Sequence, residues 1–356
     1  MESYLSLRVE SVIQETHEAK TFIFHEVEGR EINFLPGQFL TFCYVINGEE
    51  VRRSYSICTA PFEKPRLGIT VKMTAEGHVT NYFVETVKEG DVLKAFPPLG
   101  RFIVEPSPDK SRELVLAGAG SGIAPLMSIL KSTLYIESES RVTLLYGNRK
   151  EDTIIFRSEL EDLEKFYKGR FKVIHSLSQP GPGWEGIKGR ITKEFFLAWM
   201  KGAAPSAGTE YYICGPNGMI IGILSALAAE GIDPVKIHTE YFAITIKENE
   251  DVEESEIKER KVTIIFGGQE HVVTVKPEDS ILESALAQGV ELPNSCRIGQ
   301  CSSCRAKLIS GKINLVEQTA LTQEEIAQGY CLTCVGFPLS DDIVIDYDAT
   351  SPFGQA

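Results

Sequence analysis

From its first residues the chain alternates apolar and polar positions. In Leu5-Ser6-Leu7-Arg8-Val9-Glu10 every second side chain is apolar, the period of a strand that buries one face. This opening run reads as an edge-forming strand. Short apolar runs recur at Thr21–Phe24, Gln38–Phe42 and Leu67–Val71; Pro36-Gly37 and Asn47-Gly48 lie between them and Glu89-Gly90 beyond, dipeptides that supply turns. Residues 1–107 therefore predict an antiparallel β-barrel. From 108 to 245 the rhythm changes. Apolar strands at 113–117, 141–146, 171–175 and 211–214 alternate with helical stretches such as 156–166 and 218–230. That is the pattern of an α/β doubly wound parallel sheet. Residues 246–260, IKENEDVEESEIKER, are almost devoid of apolar side chains and read as a charged linker. A smaller α+β domain, 261–356, follows, with strands at 261–266, 271–275, 305–309 and 343–347 and a helix near 280–288. The tail Ser351–Ala356 is expected to be loose.

Composition narrows the classes. A chain of 356 residues, 43% hydrophobic, fills two or three cores. The net charge of −14 argues against nucleic acid or an anionic membrane as partner. No run approaches the roughly 18 apolar residues of a membrane span. The N-terminus has neither the basic start nor the continuous apolar run of a signal peptide, so a cytoplasmic location is expected. Residues 261–356 hold 6 basic against 12 acidic residues. That balance keeps a protein soluble and also suits docking to a basic patch on a protein partner. Of 8 cysteines, Cys43, Cys58 and Cys214 are scattered and five crowd between Cys296 and Cys334, the distribution of one metal site in a reducing compartment.

The crowded set reads Cys296-x4-Cys301-x2-Cys304, then 29 residues, then Cys334. Four thiolates so spaced suit a plant-type 2Fe-2S cluster. The polar loop between them, with Gly299, can turn backbone N–H groups toward sulfur. A zinc site from Cys301-x2-Cys304 and Cys331-x2-Cys334 is the rival. Its 26-residue gap exceeds the usual ribbon spacing of roughly 15–20, and it leaves Cys296 idle.

Further motifs lie upstream. Arg53-Ser54-Tyr55-Ser56 ends a barrel strand, where an Arg can grip a phosphate and a Tyr can lie on a flavin ring; a salt-bridged surface strand is the plainer reading. Gly77-His78-Val79-Thr80 opens a helix, as an anion site or a simple cap. Gly118-Ala119-Gly120-Ser121-Gly122-Ile123-Ala124-Pro125 follows an apolar strand directly, the geometry that cradles a pyrophosphate, although Pro125 stands where a third spaced glycine would be. Cys214-Gly215-Pro216 ends another strand, on the side where such sheets bind ligands.

In this order, over essentially the whole chain, these motifs resemble those of the ferredoxin–NADP⁺ reductase superfamily. Met219 and Glu240-Tyr241-Phe242 add to the match. The likeness is to the oxygenase reductases that carry a C-terminal plant-type ferredoxin domain. The resemblance implies a flavin-binding barrel, an NAD(P)-binding α/β domain and a β-grasp-like ferredoxin domain. It implies that Arg53, Ser54, Tyr55 and Ser56 hold FAD, with Gly77, His78, Val79 and Thr80 at its phosphates and Phe242 on the flavin's far face. Ser56, Cys214 and Glu240 match the family's trio around flavin and nicotinamide. Gly118, Gly120, Ser121, Gly122 and Pro125 match the NAD(P) pyrophosphate loop, with Gly215 and Pro216 beside it. Where NADP-specific relatives place a Ser-Arg pair this chain has Ser178-Gln179, and Arg149 is the cation left to select NADPH, NADH being possible. Cys296, Cys301, Cys304 and Cys334 match the cluster ligands.

The implied activity takes a hydride from NAD(P)H onto FAD and passes single electrons through the cluster to an oxygenase component. That oxygenase would act on an aromatic or CoA-thioester substrate. Reductases of ring- or steroid-hydroxylating systems and a general diaphorase are the alternatives. A redox sensor would need an effector or DNA-binding segment, and none is visible. The six histidines show no pattern of an oxygen-activating iron site.

Overall fold

Strand formers crowd the first hundred residues and draw them into one antiparallel sheet. In the computed structural model, residues 4–46, 48–74, 78–242, 258–277, 279–297, 299, 301–315 and 320–349 are described. Gly77, most of the 246–260 linker and the tail fall outside them. The first strands are β1 (Leu5–Thr16), β2 (Ala19–Glu26), β3 (Phe39–Ile46), β4 (Glu49–Ser56) and β5 (Leu67–Lys72). Helix α1 (His78–Thr86) and β6 (Val92–Ala95) complete the set. The strand order is β4-β3-β6-β1-β2-β5. A bridge between Ile57 and Ile69 and a bond from Cys58 N–H to the Gly68 carbonyl (2.9 Å) close β4 onto β5, giving the expected barrel. Phe83 of α1 plugs one end, edge-on to Phe22 at 5.0 Å within a core of Leu7, Phe24, Leu40, Phe42 and Ile69.

One expectation fails here. The N-terminal strand is not an edge: β1 pairs with β2 on one side and β6 on the other. Its alternation buries Leu5, Leu7 and Val9 in the barrel. Alternation reports which face is buried and carries no information about neighbours along the sheet.

The next segment runs β7 (Glu113–Ala119), α2 (Ile123–Ile136), β8 (Arg141–Asn148), α3 (Arg157–Phe166), β9 (Phe171–Leu177) and β10 (Ile187–Lys188). Then come α4 (Lys193–Ala203), β11 (Glu210–Cys214), α5 (Asn217–Ala229) and β12 (Ile237–Glu240). All pairs are parallel, in the order β10-β9-β8-β7-β11-β12. The winding reverses between β7 and β11, and open α/β sheets bind ligands at the strand C-termini of such a switch. Helix α2 is buried continuously from Ile123 to Leu134, its polar Ser128, Lys131, Ser132 and Thr133 included.

The barrel and this sheet form one unit, Met1–Ala243; a second unit is Ile244–Ala356. It contains β13 (Arg260–Phe266), β14 (Gln269–Val275), α6 (Ile281–Ala287), β15 (Arg305–Ser310), β16 (Ile313–Leu315), α7 (Gln323–Ala327), β17 (Tyr330–Leu332), β18 (Gly336–Pro338) and β19 (Val344–Asp346). A five-stranded sheet, β14-β13-β19-β15-β17, is joined by a β16-β18 ribbon. Helix α6 starts on a Ser280–Glu283 capping box and sets Ile281, Leu282 and Ala285 against the sheet core. This is the β-grasp-like α+β arrangement. Arg260, at the end of the expected linker, already belongs to β13 and pairs with Asp341 (2.6 Å).

The two units have separate cores. A chain ending at residue 250 is therefore expected to stay folded, to keep its flavin and to reduce ferricyanide with NAD(P)H, while losing efficient cytochrome c reduction. Insolubility of that fragment would show that its core needs the second unit.

Candidate functional site

At the switch point Gly118 of β7 lies opposite Cys214 of β11. The glycine turn folds back onto that strand end. A Cβ on Gly122 would overlap the Cys214 carbonyl, 2.6 Å from its carbon, so no side chain fits. Gly120 has φ +55°, a conformation that favours glycine. The turn leads into α2, which starts without a side-chain cap, although the Ile123 N–H is taken by the Gly120 and Ser121 carbonyls; a helix start of this kind can take an anion. Pro125 sits in the first turn of α2, where its missing N–H is harmless. Gly215 and Pro216 continue from Cys214, and Pro216 caps α5.

Three of the sequence-predicted residues converge. Ser56, the last residue of β4, donates its hydroxyl to Glu240 Oε2 at 3.1 Å, and the Cys214 thiol lies 4.0 Å from the same oxygen. Glu240 reaches that position because β12 pairs with β11, Glu240 beside Cys214. All three are buried. Burial pushes the Glu240 carboxyl up to about 8, against a smaller opposing pull from Ser56. Burial, then the Glu240 charge, raises the Cys214 thiol well above its ordinary value. At neutral pH the trio is uncharged, with a carboxyl proton in reach of a hydroxyl.

The barrel is fastened to the sheet by residues the sequence did not single out. Ser128 of α2 donates to the Thr59 carbonyl (2.7 Å). Lys131 of α2 pairs with Glu63 (2.7 Å) and Glu159 (3.2 Å). The Phe156 N–H donates to Glu15 of β1 (3.3 Å). The one charged residue in a helix of apolar and small hydroxyl side chains was the available signal, since a buried Lys needs a partner.

Arg53 and Tyr55 share a face of β4. Arg53 is exposed and forms no ion pair among the described residues, its Nη1 donating to the neighbouring Arg52 carbonyl (2.7 Å). Tyr55 packs 5.3 Å from Phe83, its hydroxyl 3.3 Å from that of Tyr44 and bonded to the Thr80 side chain. An uncommitted cation, an aromatic ring and a helix start are a donor set that fits a flavin phosphate and ring. Ser54 instead bonds Thr41 (2.9 Å). His78 and Val79 open α1 beside Thr80, and Gly77 lies outside the described residues. Phe242, 39% exposed, follows the trio by two residues. Arg149, exposed at the C-terminal end of β8, accepts the Gln179 N–H at its carbonyl (2.8 Å), so the two stretches weighed for the 2′-phosphate lie side by side.

In the second unit the four cysteines of the motif are buried and unbridged. Among the described residues no three His, Cys, Asp or Glu side chains meet at a single-ion site. The thiols instead fall into two pairs, Cys296 with Cys301 and Cys304 with Cys334, a donor set that fits two irons better than one zinc. The Cys296 N–H points at Cys301 Sγ (3.5 Å), and Gly299 N–H at Cys334, the donors a reduced cluster requires. Bonding to Cys296 lowers the Cys301 thiol to about 6, toward the thiolate a metal binds. The spare thiol, Cys331, is driven the other way, up to about 12, by burial.

An extended Tyr330–Cys334, which the sequence suggests, would point Cys331 and Cys334 to opposite faces; the structure separates them differently. Tyr330–Cys334 is not one extended segment: β17 stops at Leu332 and a 3₁₀ turn, Thr333–Val335, follows. Thr333 forces the change, its N–H and hydroxyl both donating to the Cys304 carbonyl at 3.3 Å. The turn brings Cys334 to Cys304 while Cys331 stays in the ladder opposite Ala306.

Known proteins share this layout. Residues 6–103 match the oxidoreductase FAD-binding domain, 116–224 the oxidoreductase NAD-binding domain and 264–339 the 2Fe-2S iron-sulfur cluster binding domain. The chain is 34% identical to the E component of 1,2-phenylacetyl-CoA epoxidase from Escherichia coli K12, covering 98% of this chain and 99% of that one. The chain belongs to the flavin and iron-sulfur reductases of multicomponent oxygenases. The reductase is also 32% identical to the ferredoxin reductase component of Mycobacterium tuberculosis 3-ketosteroid-9-alpha-monooxygenase, over 97% of this chain and 96% of that one. Its fold matches phthalate dioxygenase reductase with a TM-score of 0.64 at 22% identity, covering 97% and 98%. The reductase thus works with FAD, NAD(P)H and a 2Fe-2S cluster. FAD accepts a hydride and releases electrons singly, which joins a two-electron donor to a one-electron carrier.

Two outcomes follow. Cys334→Ser should lose iron and visible absorbance; Cys331→Ser should keep both at a stability loss of about 1–3 kcal/mol, whereas a zinc site would make the two equally destructive. For Glu240 the folded value of about 8 lies above the unfolded one. The unfolded chain therefore releases this proton first, and stability falls as pH rises from the ordinary carboxylate range to about 8. Denaturation at pH 6, 7 and 8 should show this decline in the native reductase and a flatter profile in Glu240→Gln, by up to about 1.4 kcal/mol per pH unit. Matching profiles would mean that Glu240 titrates normally.

Proposed function

We propose that the reductase carries electrons from NADPH through FAD and its 2Fe-2S cluster to the oxygenase component of a phenylacetyl-CoA epoxidase, in the cytoplasm. The division of labour follows the chain: flavin in 1–107, nucleotide in 108–245, a charged connector at 246–260 and the cluster in 261–356. The observation that carries the redox reading is the buried trio of Ser56, Cys214 and Glu240, drawn from three strands onto one oxygen. Cys214 and Glu240 sit at the sheet's ligand-binding edge. Ser56 lies one residue after Tyr55 on the strand that presents Arg53. In this reading Arg53, Tyr55 and the start of α1 through Thr80 hold FAD, and Phe242 covers it. The turn Gly118–Gly122 with Pro125 takes the nucleotide pyrophosphate, and Arg149 selects its 2′-phosphate. Cys296, Cys301, Cys304 and Cys334 hold the cluster. The chain's own work is to exclude water, orient the ligands and keep a proton on Glu240 within reach of Ser56.

The choice of partner is supported by the 34% identity to the epoxidase component, and the acidic second unit suits a basic docking patch. No helix among the described residues is long and apolar enough to cross a membrane. The steroid-monooxygenase relatives favour a second reading, a ring- or steroid-hydroxylating system. The purified protein, expected to hold FAD with about two irons and two labile sulfides per chain, should support NADPH-driven epoxidation of phenylacetyl-CoA when mixed with the oxygenase part of the epoxidase. Turnover only with a steroid or ring hydroxylase would establish the second reading. Cytochrome c reduction without turnover of any oxygenase would leave a diaphorase.

A further inference from the structure

Residues 261–356 are acidic overall, yet three of their 6 basic side chains, Arg297, Arg305 and Lys307, lie where the chain runs through the cysteine loop into β15. Arg305 follows Cys304 directly, about 3.8 Å along the backbone. Its N–H donates to the Ser302 carbonyl at 3.1 Å, and in β15 it stands opposite Leu332, two residues before Cys334. Its side chain is held from two sides. The guanidinium carbon lies 5.0 Å from the centre of the Tyr330 ring, a cation–π contact, and Nη1 donates to Glu325 Oε1 at 2.6 Å. Glu325 is itself fixed, because its other oxygen accepts the Thr322 N–H (2.9 Å) in the capping box of α7. The two side chains are 14% and 18% exposed, so solvent and salt screen them less than a pair on the open surface. Charges held beside a metal centre act on its electron affinity. One electron passes from the reduced flavin to the cluster, one ferric iron becomes ferrous, and the site gains one negative charge. A neighbouring cation favours that state and a neighbouring anion opposes it.

We propose that Arg305 and Glu325 are a charge pair that sets the electron affinity of the 2Fe-2S cluster, Arg305 favouring the reduced state and Glu325 tempering it, with Tyr330 holding the guanidinium in place. The proposal rests on the reading of Cys304 as a cluster ligand. Both residues act through the electrostatics of the site and touch no reacting atom, so their effect belongs to the step from flavin to cluster.

The test measures the midpoint potential of the cluster in the native holoenzyme, in Arg305→Met, Arg305→Lys and Glu325→Gln, and in the double variant Arg305→Met with Glu325→Gln. The paramagnetic signal of the reduced cluster is followed through a redox titration, with iron and flavin content alongside. Arg305→Met should lower the potential. At a given solution potential the ratio of reduced to oxidised cluster should fall about threefold to tenfold, tenfold being 59 mV for one electron. Glu325→Gln should raise the potential by a similar factor. The double variant should return close to the native value, and Arg305→Lys should stay within about twofold of it. Shifts of the same sign in both single variants would mean that they disturb the loop and not its charge, and would overturn the proposal, as would unshifted potentials. If Arg305→Met loses its iron, Glu325→Gln decides, since it keeps Arg305: a raised potential upholds the proposal and an unchanged one ends it. Loss of iron in both would make the pair a structural tie between α7 and β15 and end it too. A native protein without the signal of a reduced 2Fe-2S cluster would remove the cluster reading itself.

Discussion

At the C-terminal end of β11 two backbones approach more closely than any side chain allows. Gly122 rests on the Cys214 carbonyl, and this contact sets the register of everything around it. It places the start of α2 against the end of the strand that carries Cys214, and β11 in turn fixes Glu240 through β12. Helix α2 then holds the barrel through Ser128 on Thr59 and Lys131 on Glu63. Those barrel residues follow Ser56 within seven positions. Close-packed interiors transmit such constraints with little slack, so three strands from two sheets can deliver their side chains to one carboxylate oxygen.

The same burial that positions the trio decides its charge. A carboxyl with one hydroxyl partner and no cation is cheaper to keep protonated than ionised. Lys131 is the contrast: equally enclosed, it is flanked by two carboxylates and keeps its charge, because neighbouring anions outweigh desolvation. In the second unit, hydrogen bonding with Cys296 lowers the Cys301 thiol, whereas burial and then the Cys304 charge raise Cys331.

Features enforced by backbone geometry or by metal-ligand spacing were legible in the sequence. The glycine turn, the cysteine spacing, the alternating strands and the change of period at the barrel's end all leave local marks. Features made by contacts between distant segments left none. The position of β1 within its sheet depends on β6, some eighty residues later. The turn at Thr333 depends on the Cys304 carbonyl. Glu15 and Lys131 meet Phe156 and Glu63 only after the barrel and sheet come together, so their roles are invisible to any reading by window. The trio lies between these cases: each member ends a recognisable strand, but only the β11–β12 pairing and the barrel's seating show that they share an oxygen.

Phe156 carries a last consequence. Its φ of +60° is a left-handed backbone that a bulky residue adopts only at a cost, and the N–H so exposed is captured by Glu15, 141 residues earlier in the chain. The start of α3 is thus completed by a group synthesised long before it. Synthesis runs from the N-terminus, so the acceptor is made well before the strained residue that needs it. A permuted chain that made the sheet first would have to hold Phe156 without Glu15.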